Sequence, residues 1–369
     1  MRFMIDDATK MDPRSLLTTA KMSAITDIVS PRTEYLAATG DDTLLVYEDV
    51  VLAVGDAVFK TDRLTLDTSN LDAGTSFQMG SDYYVYICDN GGDNEIFRLS
   101  LNSTFPNGFN ADNSRKIGGF HFGQCRRHNE KMQPINAAGV ERGAGWQSNI
   151  FQGIVPRSVW TLSHRPKCSP EGMVYLGSGT WIDIYLSSAN GAGGVKSAYN
   201  ELPTTGTEGH NWYAQNEMLG AAGKRMPSYA EFCRYALGAP AGADNNNTNA
   251  WAMTTNTARQ RTGYVAPAVS SVGCRDTTGN VWEWMDEFIT RYDSGTGAAS
   301  IQSSFTYRDV LGGADQGQAY MNAGYQLIAL RSGGSWNPGV IAGPRAVSCA
   351  IYPWNVYTNI GVRGACDSL

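Results

Sequence analysis

Apolar residues change rhythm along this 369-residue chain. Between residues 43 and 122 they come in short bursts. "TLLVYEDVVLAV" (43–54) and "DYYVYICD" (82–89) are rich in β-branched and aromatic residues, while "RLTLDT" (63–68) and "IFRLSL" (96–101) alternate apolar with polar. The clusters "VGDA", "SNLDAG" and "NGGDN" supply turns between them. Strands this short and this regularly punctuated predict a small antiparallel β-sandwich. Upstream, Asp12-Pro13 is a helix start, with Asp as cap and Pro in the first turn. Leu16, Leu17, Ala20 and Met22 give that helix an apolar face, and Ser30-Pro31 ends it.

Beyond residue 125 the pattern becomes irregular and Gly-rich. "GMVYLGSGTWIDIYLS" (172–187) contains strands. "PSYAEFCRYAL" (227–237) is the clearest helix, with an early Pro and apolar residues at helical spacing. "GAPAGADNNNTNAWAMTTNTARQRTG" (238–263) is expected to be an exposed polar insertion. No internal repeat is evident. All nine tryptophans lie beyond residue 125, which places a domain boundary there. The division is then 1–42, 43–125 and 126–369, of the α+β class but strand- and loop-rich.

Composition narrows the functional classes. A net charge of −6 with no Lys/Arg run disfavours nucleic acid as a partner. No apolar stretch reaches membrane-spanning length, so no membrane insertion is expected. The opening "MRFMIDDATKMDPRS" carries early acids and no apolar segment, which points to synthesis in the cytoplasm without a secretory signal. Seven scattered cysteines with no CxxC pair read as reduced, mostly buried thiols rather than a disulfide framework or a zinc site.

Four motifs follow one another in the second half: "KRMPSYAEFCRYA" (224–236), "GNVWEW" (279–284), "RSGGSW" (331–336) and "NIGVRG" (359–364). Trp282 and Trp284 alternate about Glu283, so both rings share a strand face and can wall a core. Gly333 and Gly334 let backbones approach before Trp336, and the Arg363 fork can tie down loop carbonyls. In this order the motifs resemble the formylglycine-generating-enzyme branch of the C-type lectin fold. The resemblance implies that fold, with large insertions, after a small antiparallel β domain.

The segment "GGSWNPGVIAGPRAVSCAIYPWNVYTNIGVRGACDSL" (333–369) resembles, more narrowly, the variable region of the phage major tropism determinant family. Those are receptor-binding proteins diversified by a retroelement. "DYYVYICDNG", "RKIGGFHFG", "HRPKCSPEGMVY" and "WIDIYL" are similar to segments of that family in the same order. The likeness covers most of residues 75–369 and weakens before 43, where the family has a β-prism and this sequence reads as a helix.

The resemblance implies a ligand-binding site at twelve variable positions: Ser335, Asn337, Pro338, Gly339, Ile341, Ser348, Ala350, Ile351, Asn355, Tyr357, Asn359 and Ile360. Trp336, Pro353, Trp354, Gly361 and Arg363 would be the fixed scaffold between them. Tyr, Ser, Asn and Gly are paratope-like residue types. Tyr357 is the natural anchor, and Ile341, Ile351 and Ile360 would add apolar contact area. For Ile360, core packing is an equal alternative. The implied partners are a host cell-surface protein or other surface ligand and a phage tail fibre. The implied assembly is a homotrimer at the virion tail, with Tyr83, Tyr84 and Tyr86 in its core or subunit interface.

Three other functions compete. A copper-dependent cysteine oxidase needs a thiol pair in the tail, but Cys349 has no partner in "IAGPRAVS", and none of the four histidines lies there. A calcium-dependent sugar lectin needs several acids on a loop, and Asp367 is the tail's one acidic side chain. A diversified bacterial surface protein keeps the binding role but changes the setting. No enzyme activity and no cofactor are expected. A structural Ca²⁺ or Mg²⁺ ion near Asn280 and Glu283 is one option, because related folds use that segment, and a hydrogen-bonded loop is the other.

Overall fold

The computed structural model describes residues 2–3, 28, 30–55, 57–92, 96–243, 246–289, 308–309, 316–321 and 327–369. The helix expected from Asp12-Pro13 lies outside these residues. The chain forms two compact units: Met1–Gly123 with Gln152–Arg165 and Leu369, and Gln124–Phe151 with Pro166–Ser368. The segment 152–165, placed beyond the boundary in the sequence reading, is part of the first unit.

In the first unit the run "TLLVYEDVVLAV" is cut in two. Asp49 adopts a left-handed backbone (φ 67°), which separates Leu44–Val46 from Val51–Val54. The two halves then join different sheets. Leu44–Val46 sits between Leu36–Ala38 and Leu64–Leu66, both antiparallel to it. Val51–Val54 pairs with Ala57–Lys60, which also pairs with Arg2–Phe3. A third sheet has Ser81–Cys88 between Ile96–Ser100 and the long Ser114–Arg126.

Alternation along Ser81–Cys88 sends Tyr83, Val85 and Ile87 into one core with Leu44, Leu52, Phe59, Phe97 and Phe120. Phe77, Tyr83 and Phe120 meet there with ring centroids 5.0–5.6 Å apart. Tyr84 and Tyr86, on the opposite face, are also buried. The Tyr86 hydroxyl donates to the Asn102 carbonyl at 2.7 Å. All three tyrosines are thus spent on this unit's own interior.

In the second unit, "PSYAEFCRYAL" gives the helix Tyr229–Tyr235. Ser228 caps it, and Glu231 closes a reciprocal capping box. A second helix, Trp212–Ala221, was not foreseen. Asn211 caps it, and it buries Trp212, Gln215 and Leu219, one face at helical spacing. The polar Gln215 in that stripe hides the pattern. Its amide donates to the Ile360 carbonyl.

The main sheet has six strands, in the order Arg308–Asp309, Gln318–Met321, Val347–Ile351, Ile328–Ser332, Trp282–Ile289 and Ile360–Gly361. Trp282, Trp284, Leu219, Met226, Ile360 and Val362 form its core. Trp336 packs separately on Leu186 and Val281. A three-stranded sheet joins Met173–Gly177, Thr180–Asp183 and Ala365–Asp367. None of the seven cysteines is in a disulfide in this structure.

Arg363 lies at the centre of this unit, fully buried. Its five N–H groups are all used. Two go to Glu283, at 2.9 and 3.1 Å. The others reach the carbonyls of Asp183, Ile184 and Arg275, at 3.0, 2.7 and 2.6 Å. The Tyr235 hydroxyl completes the shell of Glu283 at 2.8 Å. Burial alone would make Arg363 easier to deprotonate, but the adjacent Glu283 reverses this and raises its pKa. Removing one partner strands a buried charge. Arg363→Ala should therefore cost about 3–5 kcal/mol in urea unfolding. A loss within the ordinary surface range, under about 0.5 kcal/mol, would contradict this role.

Candidate functional site

The tail enters the site through Ser335, whose hydroxyl is buried. It lies 3.4 Å from Asn337 Oδ1 and accepts from the Asn359 amide, also at 3.4 Å. Positions far apart in the tail are thereby linked. Next comes a single turn, Gly339–Ile341, then the strand Val347–Ile351, then the loop 352–359.

Eight of the twelve candidate positions are at least partly open to solvent. Asn337 and Tyr357 are exposed, and Pro338, Ile341, Ala350, Ile351, Asn355 and Asn359 are half-buried. Ile341 and Ile351 also pack against the core. Ser335, Gly339, Ser348 and Ile360 are buried, so their side chains are not on the surface as the site assignment required. Ile360 pairs with Trp282 across parallel strands and sits in the core, which decides its two readings for packing. Ser348 is held inside the sheet between Tyr320 and Arg331. Gly339 has φ +55°, a conformation that disfavours any replacement side chain.

Trp354 departs from the scaffold role. It is 50% exposed and stacks on Tyr352, with centroids 5.1 Å apart and planes 18° from parallel. Val340 and Val356 are exposed as well. The signal for Trp354 and Val356 was present in "YPWNVY", an apolar run in a loop with neither a strand nor a helix period. Tyr213 and Phe288, also exposed, flank Trp212 with centroids 5.3 and 4.6 Å from its ring. Residues 333–362 carry one charged side chain, Arg345. The surface offered is thus aromatic, aliphatic and amide in character.

The segments that support this surface come from elsewhere in the chain. Polar "GAPAGADNNNTNAWAMTTNTARQRTG" is only partly exposed. Ala239, Ala241, Ala250, Ala252 and Thr262 within it are buried, and Ala250 and Ala252 pack on Ala342 of the tail. Gly242 N donates to Ala342 O at 3.0 Å, and Gly339 N to Ala252 O at 2.8 Å. Asn247 and Asn256 satisfy backbone groups. Asn247 Oδ1 accepts from the amides of Ala252 and Met253, and Asn256 donates to the Trp336 carbonyl at 2.8 Å.

A second support is the turn Gly206–Glu208, capped by Thr205 with a reciprocal bond from Glu208. Gly206 N donates to Tyr357 O at 3.0 Å, and a Cβ on Gly206 would lie 2.5 Å from the Tyr357 backbone. Arg259 binds both Thr205 and Glu208. Burial would raise the Glu208 pKa, but the Arg259 guanidinium and the Thr205 amide outweigh it and lower it.

The chemistry for catalysis or metal binding is sparse. Burial pushes the Cys349 thiol up to about 11. Asn280 spends its amide on Gln260, at 2.9 and 3.1 Å, and both oxygens of Glu283 are taken by Arg363 and Tyr235. Both side chains are thus hydrogen-bonded within the protein. Among the described residues no group of three His, Cys, Asp or Glu is gathered to hold a metal.

Residues 34–147 match the family described as the Mtd second domain. The chain is 27% identical over 350 residues to the tail fiber receptor-binding protein of Bordetella phage BPP-1, covering 90% of this chain and 81% of that protein. The solved major tropism determinant M1 variant superposes with a TM-score of 0.68 at 24% identity, and the U1 variant with 0.67 at 25%. Each match covers 94% of this chain and 87% of the other. The second unit accordingly has a C-type lectin fold, and the chain is a relative of the major tropism determinants in sequence and in fold.

Two outcomes follow from the supports. Gly206→Ala should displace the Tyr357 backbone and cost about 1–3 kcal/mol by overpacking, read as a lowered melting temperature. Glu208 has a depressed pKa, so its contribution is present above the unfolded value of 4.5 and is lost as pH falls through the lower folded value. The melting-temperature gap between the native protein and Glu208→Gln should be open at pH 6 and closed near pH 3. A gap that is constant with pH would remove Glu208 from the support.

Proposed function

We propose that this relative of the major tropism determinants is a receptor-binding phage tail protein, and that its tail surface holds a ligand on the host cell. The observation that carries the reading is the pairing of two facts. Sequence similarity to a tail fiber receptor-binding protein runs through 90% of the chain. The tail also presents uncharged, exposed aromatic and amide side chains on a backbone fixed from both sides. Tyr357, Trp354, Val356 and Asn337 are the contact residues, with Asn355 and Asn359 beside them. Retroelement diversification would act on the open positions among the twelve. The work of the site is recognition rather than catalysis, since the one thiol near a catalytic position, Cys349, is buried and held protonated.

The protein would reside at the virion tail as a homotrimer. A face of about ten residues covers less than the roughly 800 Å² per partner of a standard interface. Linked copies raise apparent affinity by about 10²–10⁴, which makes a mediocre site useful.

Purified protein should compete with the parent phage for adsorption to its host. Tyr357→Ala and Trp354→Ala should each weaken cell binding about tenfold or more with little change in melting temperature, as hot-spot residues do. Ile360→Ala should instead destabilise the fold by about 2–5 kcal/mol. Undiminished adsorption by both aromatic variants would overturn the assignment. Light scattering should give a mass near three times 39.9 kDa. A monomer at micromolar concentration would remove the trimer and leave the surface standing.

A further inference from the structure

Cys168 and Cys366 are 198 residues apart in sequence and neighbours in space. Pro166 bridges Ser368 in antiparallel fashion, and Lys167 N donates to Asp367 O at 2.9 Å. Continuing that register by two residues brings Cys168 alongside Cys366. The Cys168 amide lies 3.3 Å from the Cys366 sulfur. Directly opposed residues on antiparallel strands have Cα atoms about 4.5–5.5 Å apart. A disulfide spans Cα separations of about 4.4–6.8 Å, which includes that of such neighbours.

The chemistry of the pair is asymmetric. Cys366 is buried and Cys168 is half-buried, so an oxidant reaches Cys168 first. The Cys168 thiol hydrogen-bonds to Cys366 and holds the latter's pKa down to about 6 against the effect of burial. Cys366 is then the ready thiolate. The ammonium of Lys224, itself bonded to Asp183 at 2.6 Å, adds positive charge close to both sulfurs. By contrast, burial holds Cys88, Cys274 and Cys349 protonated.

We propose that Cys168 and Cys366 form a cross-strand disulfide when the protein meets an oxidising medium, and that this bond staples the strand Ala365–Asp367 to the body of the second unit. With oxidised glutathione as the oxidant, Cys168 passes the proton of its hydrogen bond to Cys366 and attacks one glutathione sulfur, expelling a glutathione thiolate that takes this proton back from Cys366. The Cys366 thiolate then attacks Cys168 Sγ and expels the second. Two protein thiols become one disulfide, and two glutathione molecules leave reduced. The bond closes a loop that contains the whole tail from Gly333 to Ala365 and lies three residues beyond Arg363. The base of the variable surface would be covalently held whatever side chains occupy it.

Protein purified under reducing conditions would be equilibrated with oxidised glutathione, denatured, alkylated and digested without reduction. Mass spectrometry should find a linked peptide pair carrying Cys168 and Cys366, with five of the seven cysteines still alkylated. The melting temperature should rise by roughly 5 °C or more, reversibly with dithiothreitol, and not in Cys168→Ser. Seven alkylated cysteines, a stable glutathione adduct on Cys168 beside an alkylated Cys366, or a different linkage would each overturn the proposal. If Cys168→Ser does not fold, the peptide map of the native sequence decides alone.

Discussion

One buried guanidinium organises the second unit. Arg363 gathers Glu283 of a central strand, the carbonyls of Asp183 and Ile184 at a strand end, and the carbonyl of Arg275 in a loop. Tyr235 brings the helix Tyr229–Tyr235 to the same carboxylate. A buried ion pair is weak evidence for net stability, because desolvation offsets much of the attraction. Its effect here is on uniqueness. A shift of Trp282–Ile289 or Ile360–Gly361 by one residue would leave a charge in the core without its partner, at a cost of several kcal/mol. The loop 352–359 immediately precedes this anchor in sequence, so its exit point is set by the most constrained side chain in the unit.

How the sequence announced these features depended on whether the cause was local. The helix Tyr229–Tyr235 was legible because its early Pro and its apolar spacing lie within about ten residues, the same stretch that holds its capping box. The short strands of the first unit were legible from β-branched runs and turn residues, apart from the break at Asp49. Arg363 as a tie for loop carbonyls and Trp282, Trp284 and Trp336 as core were legible from residue chemistry. The helix Trp212–Ala221 was not, since Gln215 occupies a core position and finds its partner in the distant Ile360 carbonyl.

The site was legible in outline and misread in detail for the same reason. Membership of the tail marks a residue as near the surface, but pairing decides which way it points. Ser348 and Ile360 lie in strands with neighbours on both sides, so burial follows from register. Trp354 has the composition of a core residue and sits in a loop where nothing covers half of it. The segment 238–263 looked solvated because Asn and Thr dominate it. Asn247 and Asn256 bind backbone groups instead, and its small Ala and Gly residues let two loops touch. Polarity alone does not separate a loop that faces water from a loop that replaces it.

The way the tail is held bears on how it can change. Gly206 N binds Tyr357 O, Trp212 N binds Pro353 O, Trp282 N binds Asn359 O, and Gly339 N binds Ala252 O. The Gln215 amide binds Ile360 O. Each restraint acts on a main-chain group of the tail, and every residue type offers the same carbonyl. Replacing the side chain of Tyr357 or Asn359 therefore leaves the restraint on its backbone intact. The exception is instructive, since Gly339 uses its N–H in a left-handed conformation, which excludes Pro and disfavours branched residues. A loop fixed through side chains would lose its shape with each substitution and would have to fold and bind anew. A loop fixed through its backbone separates the two requirements, and shape persists while the exposed chemistry is free to vary.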